Sequence, residues 1–279
     1  MIDVYRRAMN VEPPPAPKKA KGFFTDTSLC IGCKACEVAC KQWNQLPADG
    51  YRMTGDSYDN TGSFGATTWR HVAFIEQAKA NGSREGQRWL MMSDVCKHCA
   101  NAACLEVCPT GALVRTEFGT VYVQQDICNG CGFCVPACPF GVIDRTPKDG
   151  TFEPGTAHKC TLCYDRLKDD MTPACAKSCP TASIQFGDVD ELRDRARKRL
   201  GELHARGESA QLYGMPENKE AAEVGPLHAF FLLLDKPEVY NLPEVPRLPR
   251  KTMAERYAWS GLVAVGAALF SAFVFSRRG

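Results

Sequence analysis

The stretch Cys128-Asn-Gly-Cys131-Gly-Phe-Cys134-Val-Pro-Ala-Cys138-Pro139 decides how the rest of the chain is read. Its spacing, C-x2-C-x2-C-x3-C-P, is one in which three thiolates hold an iron–sulfur cube and the fourth reaches a second cluster. Three sulfurs meet three irons of a small cube only if the backbone wraps around it, and Gly130 and Gly132 make that wrap sterically easy. Cys138 lies about one helical turn beyond Cys134, too far along to face the same cube, and Pro139 stops a helix from continuing.

Working outward, three further quartets vary the pattern, and together the four use all 16 cysteines. They are Cys30-x2-Cys33-x2-Cys36-x3-Cys40, Cys96-x2-Cys99-x4-Cys104-x3-Cys108-Pro109 and Cys160-x2-Cys163-x11-Cys175-x3-Cys179-Pro180. Lys41 stands where the other quartets carry proline, so a helix is expected to run on through Gln42, Trp43 and Asn44. A disulfide framework would scatter its cysteines between loops, whereas these fall into tight groups separated by cysteine-free stretches. Zinc also takes C-x2-C pairs, but a zinc ribbon needs two separated pairs rather than a triple followed by Cys-Pro.

Length and charge bound the remaining options. At 279 residues there is room for one large or two small domains. The net charge of +2, with lysine and arginine dispersed, gives no nucleic-acid footprint.

Between and around the quartets the chain divides into four expected parts. Residues 1–21 hold Pro13, Pro14, Pro15 and Pro17 and read as an extended arm. Arg6-Arg7 is followed by no apolar stretch or cleavage site, so no signal peptide of the chain's own is expected. Residues 22–187 carry the quartets, with strands expected at Thr67 to Ile75 and Arg88 to Met92 and a turn at Asn81-Gly82. Ala112 to Thr116 and Thr120 to Val123 suit two more strands joined across Phe118-Gly119. The echo among Thr110-Gly-Ala-Leu113, Phe140-Gly-Val-Ile143 and Thr181-Ala-Ser-Ile184 marks an internal repeat. In residues 188–250, Asp188 and Glu191 resemble a capping box for a helix to about His204, with Leu192, Ala196, Leu200 and Leu203 on one face. His228 to Leu234 suits a strand, and Pro237 to Pro249 a linker. In residues 251–279 no charge occurs between Arg256 and Arg277. At ~1.5 Å per residue this run reaches about the thickness of a bilayer core, and Tyr257 and Trp259 suit its interface. The fold class expected is α+β: two ferredoxin-like [4Fe-4S] dicluster units with inserted loops and strands, plus one C-terminal transmembrane helix.

These features together carry a resemblance. Four quartets at these intervals, the phrase Asp26-Thr-Ser-Leu-Cys30-Ile-Gly-Cys33-Lys-Ala-Cys36, Trp43 after it and one C-terminal span resemble the β subunit of membrane-bound formate dehydrogenase, from about Gly22 onward. The cysteine pattern alone is shared with the iron–sulfur subunits of dimethyl sulfoxide, polysulfide and tetrathionate reductases and of some hydrogenases. The resemblance implies that the first quartet pairs with the fourth and the second with the third. Cluster one would then be held by Cys30, Cys33, Cys36 and Cys179, and cluster two by Cys96, Cys99, Cys104 and Cys138. Cluster three would take Cys108, Cys128, Cys131 and Cys134, and cluster four Cys40, Cys160, Cys163 and Cys175. It also implies a molybdopterin (molybdenum or tungsten) catalytic subunit that carries the export signal, a membrane cytochrome b subunit, and contact with the lipid bilayer through residues 257–276. The site implied is a bacterial inner membrane, crossed once, with the cluster domain periplasmic and the C-terminus cytoplasmic.

No catalytic constellation of the chain's own is legible: His71, His98, His158, His204 and His228 stand apart, and none pairs with a nucleophile. His98, between Cys96 and Cys99, is expected at the surface or supporting a ligand rather than ligating. Lys34, Lys41, Lys97, Lys159 and Lys177 lie beside ligands, where a cation stabilises the reduced cluster, or else are solvated surface lysines. The function expected is electron relay through four clusters in a formate dehydrogenase complex. The alternatives are the same relay for another molybdopterin reductase or a hydrogenase, and a zinc-stabilised interaction protein.

Overall fold

The computed structural model describes residues 18–48, 50, 53, 55, 57–77, 88–148, 150 and 152–276, without the side chains of 252–256 and 272–276. The expected turn at Asn81-Gly82 and all of the proline-rich arm before residue 18 lie outside the described residues.

In chain order the strands are β1 (Lys21–Asp26), β2 (Arg70–Gln77), β3 (Arg88–Val95), β4 (Leu113–Arg115), β5 (Val121–Val123), β6 (Asp144–Arg145), β7 (Ala157–His158), β8 (Ile184–Asp188), β9 (Gln211–Tyr213) and β10 (Ala229–Leu233). The helices are α1 (Ala35–Trp43), α2 (Ala103–Glu106), α3 (Cys134–Ala137), α4 (Tyr164–Lys168), α5 (Ala174–Lys177), α6 (Val189–Ala205), α7 (Ala221–Val224) and α8 (Pro249–Ser276).

A four-stranded sheet, ordered β8-β1-β10-β9, ties the two ends of the body together. β1 runs antiparallel to β8, with Phe23 opposite Phe186, and parallel to β10, with Phe24 opposite Phe230. Adjacent residues of a strand point to opposite faces. Phe24, Phe230 and Leu232 accordingly pack on Val189, Leu192, Ala196 and Leu203 of α6, while Phe23 and Ala229 face the cysteines. Covering on both faces explains why Ala229-Phe-Phe-Leu-Leu233 is continuously apolar and fully buried rather than alternating.

The expected hairpins are present. β2 pairs with β3 from Arg70–Val95 to Gln77–Arg88, and β4 pairs with β5. The first helix ends at Trp43 with Asn44 as its cap, as Lys41 in place of proline leads one to expect.

Two expectations are corrected. Asp188 stands at the start of α6 but makes no capping bond; its carboxylate pairs with Lys21 at 2.5 Å and Lys19 at 3.3 Å. Those two cations draw the carboxylate away from the helix's own N–H groups. Pro237 to Pro249 is no linker: Tyr240, Leu242 and Leu248 are buried, and the Tyr213 hydroxyl donates to the Pro243 carbonyl at 2.7 Å. The eleven residues between Cys163 and Cys175 include the short helix α4, with Arg166 Nε donating to the Thr172 carbonyl at 2.7 Å.

At the C-terminus α8 occupies the uncharged run, and every described side chain from Tyr257 to Ser271 is exposed. Among the described residues no helix is long and apolar enough to cross a membrane.

Candidate functional site: four groups of cysteine thiols

The loop before α1 turns through Gly32 at φ 66° and Lys34 at φ 58° and brings Cys30, Cys33 and Cys36 around one cavity that Cys179 also lines. Four residues along α1, Cys40 faces away from that cavity toward Cys160, Cys175 and Cys163, all of them buried. The loop after β3 brings Cys96, Cys99 and Cys104 around a second cavity, closed by Cys138. Cys134 has the thiols of Cys128, Cys131 and Cys108 as its neighbours. Here Gly130 is required twice over: its φ is 70°, and a Cβ would lie 1.9 Å from the Gly155 carbonyl oxygen.

The groups also neighbour one another. Cys36 senses Cys175, Cys160 senses Cys96, and Cys104 senses Cys134. The resulting order runs from the Cys30 group through the Cys40 group and the Cys96 group to the Cys108 group. Only Cys33 and Cys131 are exposed, and they belong to the first and last groups of that order.

Burial pushes these thiols up, Cys36 and Cys134 to about 11 and Cys104, Cys160 and Cys163 to about 12. Without a metal such groups are neutral, and a metal binds by displacing their protons. For Cys108 burial is outweighed by hydrogen bonds from Leu113, Thr110 and Ala112, which hold it below the usual thiol range. Backbone N–H groups also reach sulfur at Cys160, from Leu162 at 3.3 Å, and at Cys128, from Ala157 at 3.4 Å.

Cations surround the second cavity more closely than a surface lysine would. Lys97 is fully buried; its ammonium ion-pairs with Asp94, donates to the Val95 carbonyl at 2.9 Å and lies 5.2 Å from the Phe140 and Phe231 ring centres. Lys159 is buried too and donates to the carbonyls of Val121 and Cys160. Lys34 pairs with Asp59 and Glu37, and Lys41 donates to the Thr67 carbonyl at 2.8 Å. Lys177 lines an open cleft beside Trp43 and Asp165. His98 is not at the surface: it is 1% exposed, lines the second cavity, and accepts from the Val121 N–H at 3.1 Å through Nδ1. Burial and then the Lys159 charge hold its pKa far below the usual histidine value, so it stays neutral.

Sequence reasoning passed over Arg70 and Ser93. Arg70 is 2% exposed, and its Nη1 donates to Ser93 Oγ at 2.9 Å. Burial works to lower its pKa, but Cys175, Cys36, Cys160 and Cys40 raise it on balance. The available signal was strand period: Arg70 shares the buried face of β2 with Val72, so a charge stood at an inward position.

The donor set fits iron–sulfur clusters: four sets of four thiols, no disulfide among them, N–H groups aimed at sulfur, and buried cations beside them. Among the described residues no three His, Cys, Asp or Glu side chains converge closely enough to hold a single metal ion. Fold and donor set define a ferredoxin-type dicluster protein. Family models described as 4Fe-4S dicluster domain match residues 29–112 and 87–189. The chain is 37% identical over 289 residues to the formate dehydrogenase-O iron-sulfur subunit of Escherichia coli (strain K12), covering 99% of this chain and 91% of that one. It is 40% identical over 228 residues to the formate dehydrogenase iron-sulfur subunit of Haemophilus influenzae, covering 80% and 68%. The B subunit of the anaerobic dimethyl sulfoxide reductase of Escherichia coli is 36% identical over 190 residues, covering 66% and 79%.

The chain belongs to the family of formate dehydrogenase iron–sulfur subunits. It is an iron–sulfur electron-transfer subunit and carries four [4Fe-4S] clusters.

Proposed function

We propose that this chain relays electrons in a membrane-bound formate dehydrogenase, from a molybdopterin (molybdenum or tungsten) catalytic subunit to a membrane cytochrome b subunit that reduces quinone. In this reading Cys30, Cys33, Cys36 and Cys179 hold cluster one, and Cys40, Cys160, Cys163 and Cys175 hold cluster four. Cys96, Cys99, Cys104 and Cys138 hold cluster two, and Cys108, Cys128, Cys131 and Cys134 hold cluster three. The bound clusters supply one-electron redox chemistry at potentials set by charge, hydrogen bonds and solvent exposure.

The observation that carries the reading is the serial order of the groups, one, four, two, three, with the two exposed cysteines at its ends. A relay needs accessible terminal centres and shielded middle ones, and the fully buried Cys40 group keeps water from the interior of the path. Lys159, buried and donating to two carbonyls, places a cation in the dry surroundings of cluster two and favours its reduced form, while Asp94 offsets the charge of Lys97. The chain itself contributes ligands, spacing and field, and no catalytic side chain.

In this reading the uncharged run of α8 from residue 257 to 276, exposed along its described side chains, crosses the membrane once, with the cluster domain periplasmic and the C-terminus cytoplasmic. At its base Arg250 pairs with Glu106 at 3.3 Å, two residues before Cys108, so the helix leaves the body at the cluster-three end. That end is the one proposed to face the cytochrome. The likeness to a dimethyl sulfoxide reductase subunit favours, as a second reading, the same relay serving another reductase.

Low-temperature EPR of the detergent-extracted complex, before and after anaerobic formate, tests the proposal. Reduced-cluster signals after formate are the expected result. Signals that require dithionite would remove formate as the donor and leave the second reading.

A further inference from the structure

Arg70 opens β2 opposite Val95, and its whole side chain is enclosed. Its guanidinium lies 4.9 Å from the centre of the Phe23 ring. Nη1 donates to Ser93 Oγ at 2.9 Å and approaches the Ser93 carbonyl at 3.4 Å, while Nε and Nη2 find no partner among the described residues. A buried cation is costly unless an anion compensates it, and among the described residues no hydrogen bond of Arg70 reaches a carboxylate. The thiols around it are those of Cys175, Cys36, Cys160 and Cys40, which share one buried cluster with Phe23.

The hydrogen bonds fix a direction. Ser93 Oγ accepts from Arg70, so its own proton is free for Cys36 Sγ, 3.1 Å away. A thiolate-ligated cluster is anionic and gains one more negative charge on reduction. A permanent cation beside it therefore stabilises the reduced form more than the oxidised form, and so does a hydrogen bond to its sulfur.

We propose that Arg70 is a redox-tuning cation shared by two neighbouring clusters, those held by the Cys30 and Cys40 groups, and that it acts on the first also through the Ser93 hydroxyl. The inference rests on the ligand sets proposed above. One fixed charge between two centres raises both potentials together and keeps the step between them shallow. Guanidinium suits the position because it can lie over the Phe23 ring while Nη1 reaches Ser93 Oγ.

The test is a redox titration of the intact complex, followed by low-temperature EPR, with iron and sulfide counted in each preparation. Arg70→Met keeps the stem over Phe23 and removes the charge. Two of the four couples should fall, with the reduced-to-oxidised ratio at fixed potential dropping at least about tenfold, which is about 59 mV for a one-electron couple. The other two couples should hold. Ser93→Ala should lower only one of the affected pair, and Arg70→Lys, which keeps the charge, should leave all four near the parent values. A purely structural arginine predicts no shift in any variant. Four unchanged couples in Arg70→Met would overturn the proposal, as would an equal shift of all four. If Arg70→Met assembles fewer clusters, the other two variants decide: Ser93→Ala without effect on any couple overturns it. Failure of the ligand sets is separable, because it would appear as fewer than four clusters in the parent complex.

Discussion

His228 shows how one side chain ties the fold to pH. It lies just before β10, over the turn at Gly119, where a Cβ would come within 2.8 Å of the imidazole, and its Nδ1 has no partner among the described residues. Burial first, then the charges of Arg115 and Arg193, push its pKa down to about 4, against a smaller pull upward from Asp190. The unfolded chain therefore takes up a proton at about pH 6.5, while the folded chain resists until about pH 4. Stability is intact above that window and declines through it as pH falls, by up to about 3 kcal/mol for this group. His228→Asn should flatten the fall of the anaerobic thermal midpoint between pH 6.5 and pH 5. The slope should shrink rather than vanish, because His98 and His158 are held low as well, both chiefly by burial. An unchanged slope would show that His228 keeps its proton in the folded chain. None of these environments was legible from the histidines themselves: His98 and His228 become neighbours only when the quartet loop meets the sheet, with the Lys97 carbonyl accepting from the His228 N–H at 3.0 Å.

Among elements, α6 is the plainest case of a sequence pattern converted into stability. Leu192, Ala196 and Leu203 fall on one face and are 1%, 0% and 4% exposed beneath the sheet. Leu192→Ala should cost about 2–5 kcal/mol, since the sheet residues Phe24 and Phe230 cannot collapse into the space. Arg195→Ala on the open face should cost well under 1 kcal/mol. Anaerobic thermal unfolding of both variants, with cluster content counted, checks the contrast. The helix was legible because its period is local, and β2 to β5 were legible because each hairpin closes over a short span. The sheet order was not. β1 pairs with β8 and β10 across most of the chain, and such partners leave no mark in a local pattern. Nor was the packing of Pro237 to Pro249, where prolines mask the anchoring of Tyr240 and Leu248. The cysteines were legible for the opposite reason: ligand geometry constrains sequence spacing directly, so three members of each quartet announce themselves. The cations beside them follow no spacing rule, and Arg70 emerged only from the fold.

For the whole molecule, the decisive question is what α8 contributes. Leu262, Val263, Val265, Leu269 and Phe270 are between 58% and 70% exposed, which in water would be a large apolar liability. Its base, in contrast, is fastened: Leu248 is fully buried, its N–H donates to Glu223 at 2.7 Å, and Arg250 pairs with Glu106. Fastened base and exposed shaft are what the proposed anchor requires, in which lipid rather than the body would cover the apolar surface. Ending the chain after Arg250 should thus release the cluster-bearing subunit, with any catalytic partner, from the membrane fraction. All four clusters and their low-temperature EPR signals should remain, since no described side chain of the removed shaft is buried in the body. Electron delivery to quinone should drop while formate-dependent reduction of a soluble dye persists. Iron content, membrane fractionation and the two assays separate the possibilities. Loss of clusters on truncation would mean that the shaft packs on the fold, and full retention in the membrane would mean that the partners, not α8, hold the complex there.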